Sequence, residues 1–376
     1  MKLEVLQEDL NQSLSVVSRF IASRPQLPVL ANVLFSADKN NRLKLSATNL
    51  DIGIQYWIDA KVEKPGQITV PAKEISEFVS YISPGKLELE TVKQGQIKIS
   101  STQGESSFAG MDAEEFPEIP VIDQGKTASL PLANLEEAVN FVGFAAADDD
   151  ARPVLAAVNW EFSEDGYRMV ATDGYRLSLR DVSGVEVNME KTQNSGNFLI
   201  PARSLTEIVR LASGESELKV GLTEDENQVV FVLPDLQLTS RLIEGEFPEY
   251  QKIVPEETST KVLVDKEEFH QSVRMASVFA RESANVVKFN VGKGKVAISS
   301  NAPSVGENKT EVGAQIDGDD LEIAFNYRFM LDFLKAVPSS EQQVQMEFNE
   351  ALTPGMFKIP SDKDWLHIIM PVKVDL

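Results

Sequence analysis

The chain contains no cysteine, so neither a disulfide nor a thiolate metal site is open to it. Its only imidazoles are His270 and His367, a poor supply of transition-metal ligands and of general bases near neutral pH. Both absences weigh against a metalloenzyme or an acid–base catalyst, and the expected set of catalytic residues, metal ligands and cofactors is empty. No apolar run approaches the roughly 18 residues that a membrane helix needs. The opening MKLEVLQEDL has no basic segment followed by an apolar one, so a cytoplasmic protein without a membrane partner is expected. Positive charge is scarce as well. With 36 Lys and Arg against 58 Asp and Glu, the formal charge is -22, which excludes a protein that grips nucleic acid with its whole surface.

What the chain does have is internal repetition. An apolar stripe at helical spacing, Leu10, Leu14, Val17 and Ile21, returns as Leu135, Val139, Val142 and Ala146, and again as Phe269, Val273, Ala276 and Ala280. A second stripe follows 61 to 70 residues after each: Ile75, Phe78, Val79, Ile82; then Leu205, Ile208, Val209, Ala212; then Met330, Phe333, Leu334, Val337. Ahead of these lie GQITVPAKEI from Gly66, GNFLIPARSL from Gly196 and DLEIAFNYRFM from Asp320. Pro71 and Pro201 suit a helix start, where a missing N–H costs nothing. PVLANV from Pro28 returns as PVLAAV from Pro153, read as strand, and EFPE from Glu115 returns from Glu246. KLELE from Lys86, LKVGL from Leu218 and VQMEF from Val344 alternate like half-buried strands.

A period of about 125 residues is far longer than solenoid repeats, so these are duplicated domains. The expected class is α+β, three copies of helices laid on one face of an antiparallel sheet. The expected limits are residues 1–125, 126–253 and 254–376.

Charge is unevenly placed. Helical windows Glu8–Arg24, Lys73–Ile82, Leu132–Ala147, Ala202–Ala212, Asp265–Arg281 and Asn326–Val337 hold ten basic and eleven acidic residues, leaving 26 and 47 elsewhere. The helices are nearly neutral on an acidic body. The candidate basic residues on them are Arg19, Arg24, Lys73, Arg203, Arg210, Lys266, Arg274, Arg281, Arg328 and Lys335. They read either as ordinary solvated faces or as a surface that passes DNA without holding it, since few phosphate contacts mean weak, salt-sensitive binding.

Three weaker signals point elsewhere and are read blandly. Asp148, Asp149 and Asp150 form an acidic loop rather than a metal cluster. VGKGKV from Val291 lacks the GK[ST] of a phosphate loop and reads as a hairpin turn. Thr172, Asp173 and Arg176 have no histidine or cysteine base in register and read as a turn. Two rival classes are an enzyme with its site at a repeat interface and a repeat scaffold that binds proteins only.

The triplication, with RPQLPVLANVLF from Arg24, VATDGYRL from Val170, EFPEYQKIVP from Glu246 and the terminal HIIMPV, resembles the bacterial sliding clamps, the beta subunits of the replicative DNA polymerase III. The likeness spans the whole chain. It implies a non-enzymatic processivity factor: a head-to-tail homodimeric ring, helices inside and sheets outside, encircling duplex DNA without regard to sequence. Twelve helices about 9 Å apart would lie on a circle roughly 35 Å across. Subtracting about 10 Å of helix thickness leaves about 25 Å for a duplex of about 20 Å.

The resemblance places Phe108 against Val278 and Phe279 across the subunit interface. It also implies a hydrophobic pocket between the second and third domains that takes short peptide motifs of the replicative polymerase, clamp loader, repair polymerases and mismatch-repair proteins. From the second domain the matching positions are Leu155, Thr172, Gly174, Tyr175, Arg176, Leu177, Pro248, Lys252 and Ile253. From the third they are Asn326, Phe329, Leu352, Pro354, Ile368, Ile369, Met370, Pro371 and Val372. Apolar walls with a few orienting polar groups suit a peptide, and methionine makes them adaptable. Many members have histidine at the place of Tyr175 and arginine at that of Lys252, so the pocket's polar rim is expected to prefer different peptides. The tail KVDL runs beyond Val372.

Overall fold

The computed structural model describes the chain apart from residues 23–24, 94, 123–126, 150, 164, 186–196, 224, 226 and 375–376. Arg24, Asp150, Asp375 and Leu376 therefore lie outside the described residues, as does the expected limit near residue 125.

One pattern of elements recurs three times. First come β1 (Lys2–Leu6), α1 (Gln7–Val17), β2 (Asn32–Ala37), β3 (Arg42–Thr48), β4 (Ile52–Asp59), β5 (Lys61–Lys64), β6 (Gly66–Pro71), α2 (Ala72–Tyr81), β7 (Lys86–Lys93), β8 (Gln96–Ser101) and β9 (Gly104–Ala109). The second copy has β10 (Ala128–Pro131), α3 (Leu132–Val142), β11 (Ala157–Ser163), β12 (Gly166–Thr172), β13 (Arg176–Ser183), β14 (Asn197–Pro201), α4 (Ala202–Leu211), β15 (Glu217–Leu222), β16 (Gln228–Leu233) and β17 (Leu236–Arg241). The third has β18 (Thr260–Asp265), α5 (Lys266–Ala280), β19 (Val286–Gly292), β20 (Lys295–Ala302), β21 (Gly306–Asp317), β22 (Leu321–Asn326), α6 (Tyr327–Ala336), β23 (Gln343–Phe348), β24 (Gly355–Ile359) and β25 (Asp362–Ile369).

Within each copy the helices bury the predicted stripes. Leu10, Leu14 and Val17 on α1, Leu135, Val139 and Val142 on α3, and all four stripe residues of α5 are buried. Ile75 and Val79, Leu205 and Ile208, and Met330, Phe333 and Leu334 do the same on the second helix of each copy. The helices are shorter than the sequence windows. The chain tightens to 3-10 turns at Ser18–Phe20 and Gly143–Ala145, and Ile21 and Ala146 are already extended. Helices α2, α3 and α4 start directly after a proline, whereas α5 is capped by Asp265, whose side chain accepts the N–H of Glu268 at 2.9 Å. PVLA, read as strand, is instead a 3-10 turn at Pro28–Ala31 and at Pro153–Ala156; proline at its first position presets φ for a helical turn. The strand begins one residue later. EFPE is likewise not a strand but a strap crossing the sheet. VGKGKV is a two-residue hairpin turn, with Lys293 at φ 53° and Gly294 at φ 74°, the left-handed pair that such a turn demands.

The compact units do not follow the three copies. One consists chiefly of Met1–Leu130 with Ala212–Leu242; the other of Pro131–Val187, Asn194–Leu211 and Ile243–Leu376. The cause is strand pairing. Within the first unit β17 pairs antiparallel with β4, Leu236 opposite Tyr56 through Ser240 opposite Ile52, giving a sheet ordered β10-β15-β16-β17-β4-β3-β2-β6. Beside it stands a sheet ordered β5-β1-β7-β8-β9. Within the second unit β25 pairs with β13, Arg176 opposite Ile369 through Arg180 opposite Trp365, so one sheet runs β14-β11-β12-β13-β25-β24-β23-β18-β21-β20-β19-β22. In both junctions the last strand of one copy joins the fourth strand of the copy before it.

Candidate functional site

The β13–β25 seam is where the second and third copies meet, and it is built from aromatic and charged side chains. Trp365, fully buried, stacks on Phe141 of α3 at 4.2 Å between ring centres, and its indole N–H donates to the Phe141 carbonyl at 3.0 Å. Ser178 donates to the same carbonyl at 2.5 Å. At one end of the seam Arg180 binds Asp362 at 2.5 Å and Glu137 at 3.1 Å. At the other, Arg176 reaches Asp332 of α6 at 2.5 Å and Asp173 at 3.1 Å, its guanidinium lying 4.7 Å from the centre of the Phe329 ring. An arginine so paired and stacked is held in one geometry.

The TDGYR segment is a turn that presents this arginine. Asp173 accepts the backbone N–H groups of Tyr175 and Arg176 at 2.8 and 3.0 Å, while Thr172 takes that of Gly174 and donates to the Arg176 carbonyl. Gly174 sits at φ 90°, where a side chain would be strained. The Thr172 hydroxyl and the Asp173 carboxylate are thus engaged in holding the turn and its arginine. Beneath it His367 is fully buried, stacked on Phe333 at 5.6 Å and 15°, and neither ring nitrogen has a hydrogen-bond partner among the described residues. Burial, with the Arg176 charge added, holds the imidazole well below its usual range and therefore neutral.

The predicted pocket residues fall into two layers of the same unit. Thr172, Leu177, Ile368 and Ile369 are buried, and Leu177 and Ile368 join Val170, Leu179, Tyr250 and Met356 in one cluster. Tyr175, Leu352, Met370 and Ile253 are exposed at 62%, 61%, 37% and 36%, an unusual density of large apolar groups at one seam. Leu155, Arg176, Asn326, Phe329, Pro354, Pro371 and Val372 are half-buried, and Pro248 and Lys252 are exposed. The Met370 N–H donates to the Tyr175 carbonyl at 2.8 Å, so the segment after β25 is tied to the turn. Asn326 serves α6 as its cap, accepting the Arg328 N–H at 3.0 Å, and Lys252 pairs with Glu249. Tyr250 and Met356 are seam residues that pattern reading missed. Tyr250 stands four residues after Glu246 in the second EFPE segment, a spacing that its counterpart Ile119 shares in the first and that could have flagged it.

The candidate DNA-facing residues have different surroundings. Arg19, Lys73, Arg203, Arg274, Arg281, Arg328 and Lys335 are exposed. Arg210 is also exposed but pairs with Glu207 one turn away. Lys266 instead donates to the carbonyls of Val337 and Pro338 at 3.2 and 2.9 Å, tying down the end of α6. Arg24 is outside the described residues.

Of the subunit-contact candidates, Phe108 on β9 is half-buried against Phe78 at 5.1 Å. Val278 on α5 is 51% exposed, and Phe279 is half-buried with its ring edge beside Gly306 at the start of β21. Val305 and Met275, not foreseen, add exposed apolar surface there at 54% and 41%.

Three family models match in tandem. Residues 1–120 match the DNA polymerase III beta subunit, N-terminal domain; residues 129–249 the central domain; residues 251–373 the C-terminal domain. The chain belongs to the DNA polymerase III beta subunit family. Among beta subunits, the beta sliding clamp of Synechocystis sp. is 35% identical, with all of both chains covered. That of Bacillus subtilis is 30% identical over 99% of this chain and all of its own length. The crystal structure of the DNA polymerase sliding clamp from Bacillus subtilis superposes with a TM-score of 0.92 at 29% identity, covering all of both chains. No helix among the described residues is long and apolar enough to cross a membrane.

Proposed function

We propose that this protein is a sliding clamp: two copies close head to tail into a ring around duplex DNA, and the ring tethers the replicative polymerase and other replication and repair proteins. It does no chemistry of its own. The observation that carries the reading is a pair of unused edges. Fourth strands β4 and β13 each receive the last strand of the following copy, yet among the described residues last strand β9 pairs only with β8, and Gly306–Gly313 of β21 pairs only with β20. These are the same two kinds of edge that join elsewhere. A β9 edge of one protomer meeting a β21 edge of its partner would repeat the internal junction, and two-fold symmetry would close it without a filament. Phe108, Val278 and Phe279 flank those edges. Three clamp domains with limits near residues 125 and 253 complete the reading.

The apolar groups about Tyr175, Leu177, Leu352 and Met370 serve as the pocket for short partner peptides, with the buried cluster below as its floor. The exposed arginines and lysines on the helices face the DNA, weakly attracting it on an acidic body. The protein works in the cytoplasm. Light scattering tests the assembly: the unmodified protein should give a particle of about 83 kDa, twice the 41.5 kDa chain mass. A monomer at micromolar concentration would refute it.

A further inference from the structure

The three copies share a device at the edge strand that precedes their second helix. After its last strand, the first copy bonds Met111 to Thr69 of β6, the second bonds Ile243 to Leu199 of β14, and the third bonds Val372 to Ala324 of β22. Thr69, Leu199 and Ala324 are equivalent, each three residues before the residue that opens the helix. Beyond that point the first two copies throw a strap across the outer face of their own sheet. In the first, Phe116 and Ile119 pack on Val29 and Leu30, and Ile119 closes to 3.0 Å of the space a Cβ on Gly53 would fill. In the second, Phe247 and Tyr250 pack on Val170, Leu177 and Leu179. Among the described residues of the third copy no such strap crosses the sheet.

The corresponding face of the third copy is an open cleft of about 1040 Å³. Its floor is one face of β19, β20 and β21: Lys288 beside Ser299 beside Lys309, and Asn290 beside Ala297 beside Glu311. Val286 and the segment Val372–Val374 supply apolar lining. Five lysines line the cleft against four acids, a local excess of base on a chain of net charge -22. Lys295 is paired with Glu311 at 2.7 Å, but Lys288, Lys293, Lys309 and Lys373 have no salt bridge among the described residues.

We propose that this face is a docking surface for an extended acidic segment of a partner protein, laid where the first two copies lay their own straps. The molecule itself shows what occupies such a face. Both straps are acidic around a Phe-Pro pair, with Asp112, Glu114, Glu115 and Glu118 in one and Glu244, Glu246 and Glu249 in the other. The difference lies in the floor. The strapped floors carry apolar groups such as Leu34, Leu177 and Leu179, suited to permanent cover, whereas lysines form a floor that an acidic segment can leave. Attraction between exposed charges is screened within a Debye length of about 8 Å at physiological salt, so docking here is reversible and salt-sensitive.

The test uses the full chain and a fluorescein-labelled peptide of the first strap's sequence, MDAEEFPEIP. Anisotropy should show saturable binding at low salt, weakened about tenfold or more by Lys288→Glu combined with Lys309→Glu. A second variant, Ala297→Trp, should block the cleft by bulk without changing its charge, and Met370→Ala, in the apolar pocket, should leave binding unchanged. The proposal is overturned by non-saturable binding, by equal affinity for the charge-reversed and unmodified proteins, by loss of binding in Met370→Ala, or by displacement of the peptide with a dT oligonucleotide.

Discussion

The seam between β13 and β25 and the open edges of β9 and β21 are the same kind of structure in two states. The seam places a last strand beside a fourth strand, and β9 and β21 are the last-strand and fourth-strand edges left without such a partner among the described residues. At the seam the chain carries its own partner, and the junction has acquired a buried tryptophan, a serine bridging to α3 and arginines at both ends. At the open edges the flanking groups include the exposed or half-buried apolar side chains Phe108, Val278 and Phe279, while β21 itself also carries Glu307, Lys309 and Glu311. An unpaired strand edge is normally a liability that proteins blunt with charge or proline. Here the edge strand carries some charge but is flanked by exposed apolar groups, as an interface kept for a second copy would be. The seam is polar and locked; a subunit contact at the open edges, as proposed, would rely more on apolar burial that can be reversed.

Trp365→Ala should break that contrast from the closed side. It removes the stack on Phe141 and leaves the Phe141 carbonyl and Ser178 short of a donor, costing about 3–5 kcal/mol. Denaturant unfolding would show it, and a loss under about 1 kcal/mol would mean the seam is not locked as described. From the open side, Phe108→Asp would bury a carboxylate without a partner and should weaken dimerisation by roughly 100-fold, near 3 kcal/mol. Sedimentation equilibrium reads it directly, and an unchanged dimer constant would remove Phe108 from the interface.

Smaller effects sharpen the description of the seam's surface. Met370→Ala should weaken binding of short apolar-aromatic partner peptides about tenfold while leaving the dimer intact, because the side chain is exposed and its backbone bond to Tyr175 survives. Peptide affinity equal to that of the unmodified protein would displace the pocket from this place. His367 gives the smallest effect and a pH signature. Its folded-state pKa lies below the unfolded 6.5, so the unfolded chain binds the extra proton as pH falls, and stability is lost below about pH 6.5. The slope is at most about 1.4 kcal/mol per pH unit from this one group. His367→Leu should flatten the pH dependence of Tm between pH 7 and 5; parallel profiles for the two proteins would contradict the assignment.

Repetition made much of this legible from residues alone. Stripes such as Phe269, Val273, Ala276 and Ala280 recur with fixed spacing because each helix must bury one face, and periodicity records burial. PVLA was misread because four small or apolar residues before a strand look like its start, and only the φ set by Pro28 and Pro153 turns them into a helical turn. The continuity of the sheets through β4–β17 and β13–β25 was invisible for a different reason. Strand alternation tells which face is buried but not which edge finds which partner over 180 residues. The pocket positions came from family likeness; their separation into a buried floor and an exposed rim needed coordinates. Lys266 is a caution of the same sort: as a charge on a helix it suggested DNA, and only its bonds to Val337 and Pro338 reveal another use.

Encirclement is the central claim, and topology tests it more directly than affinity. The protein would be loaded onto nicked circular DNA by a clamp loader, washed in high salt, and the circle then cut once with a restriction enzyme. Salt strips proteins held by phosphate contacts but not a closed ring. The account predicts retention on the salt-washed circle and rapid loss from the linear product, with Phe108→Asp failing to remain on either. Equal retention on circle and linear DNA would show that contacts rather than enclosure hold the protein, and would contradict the account.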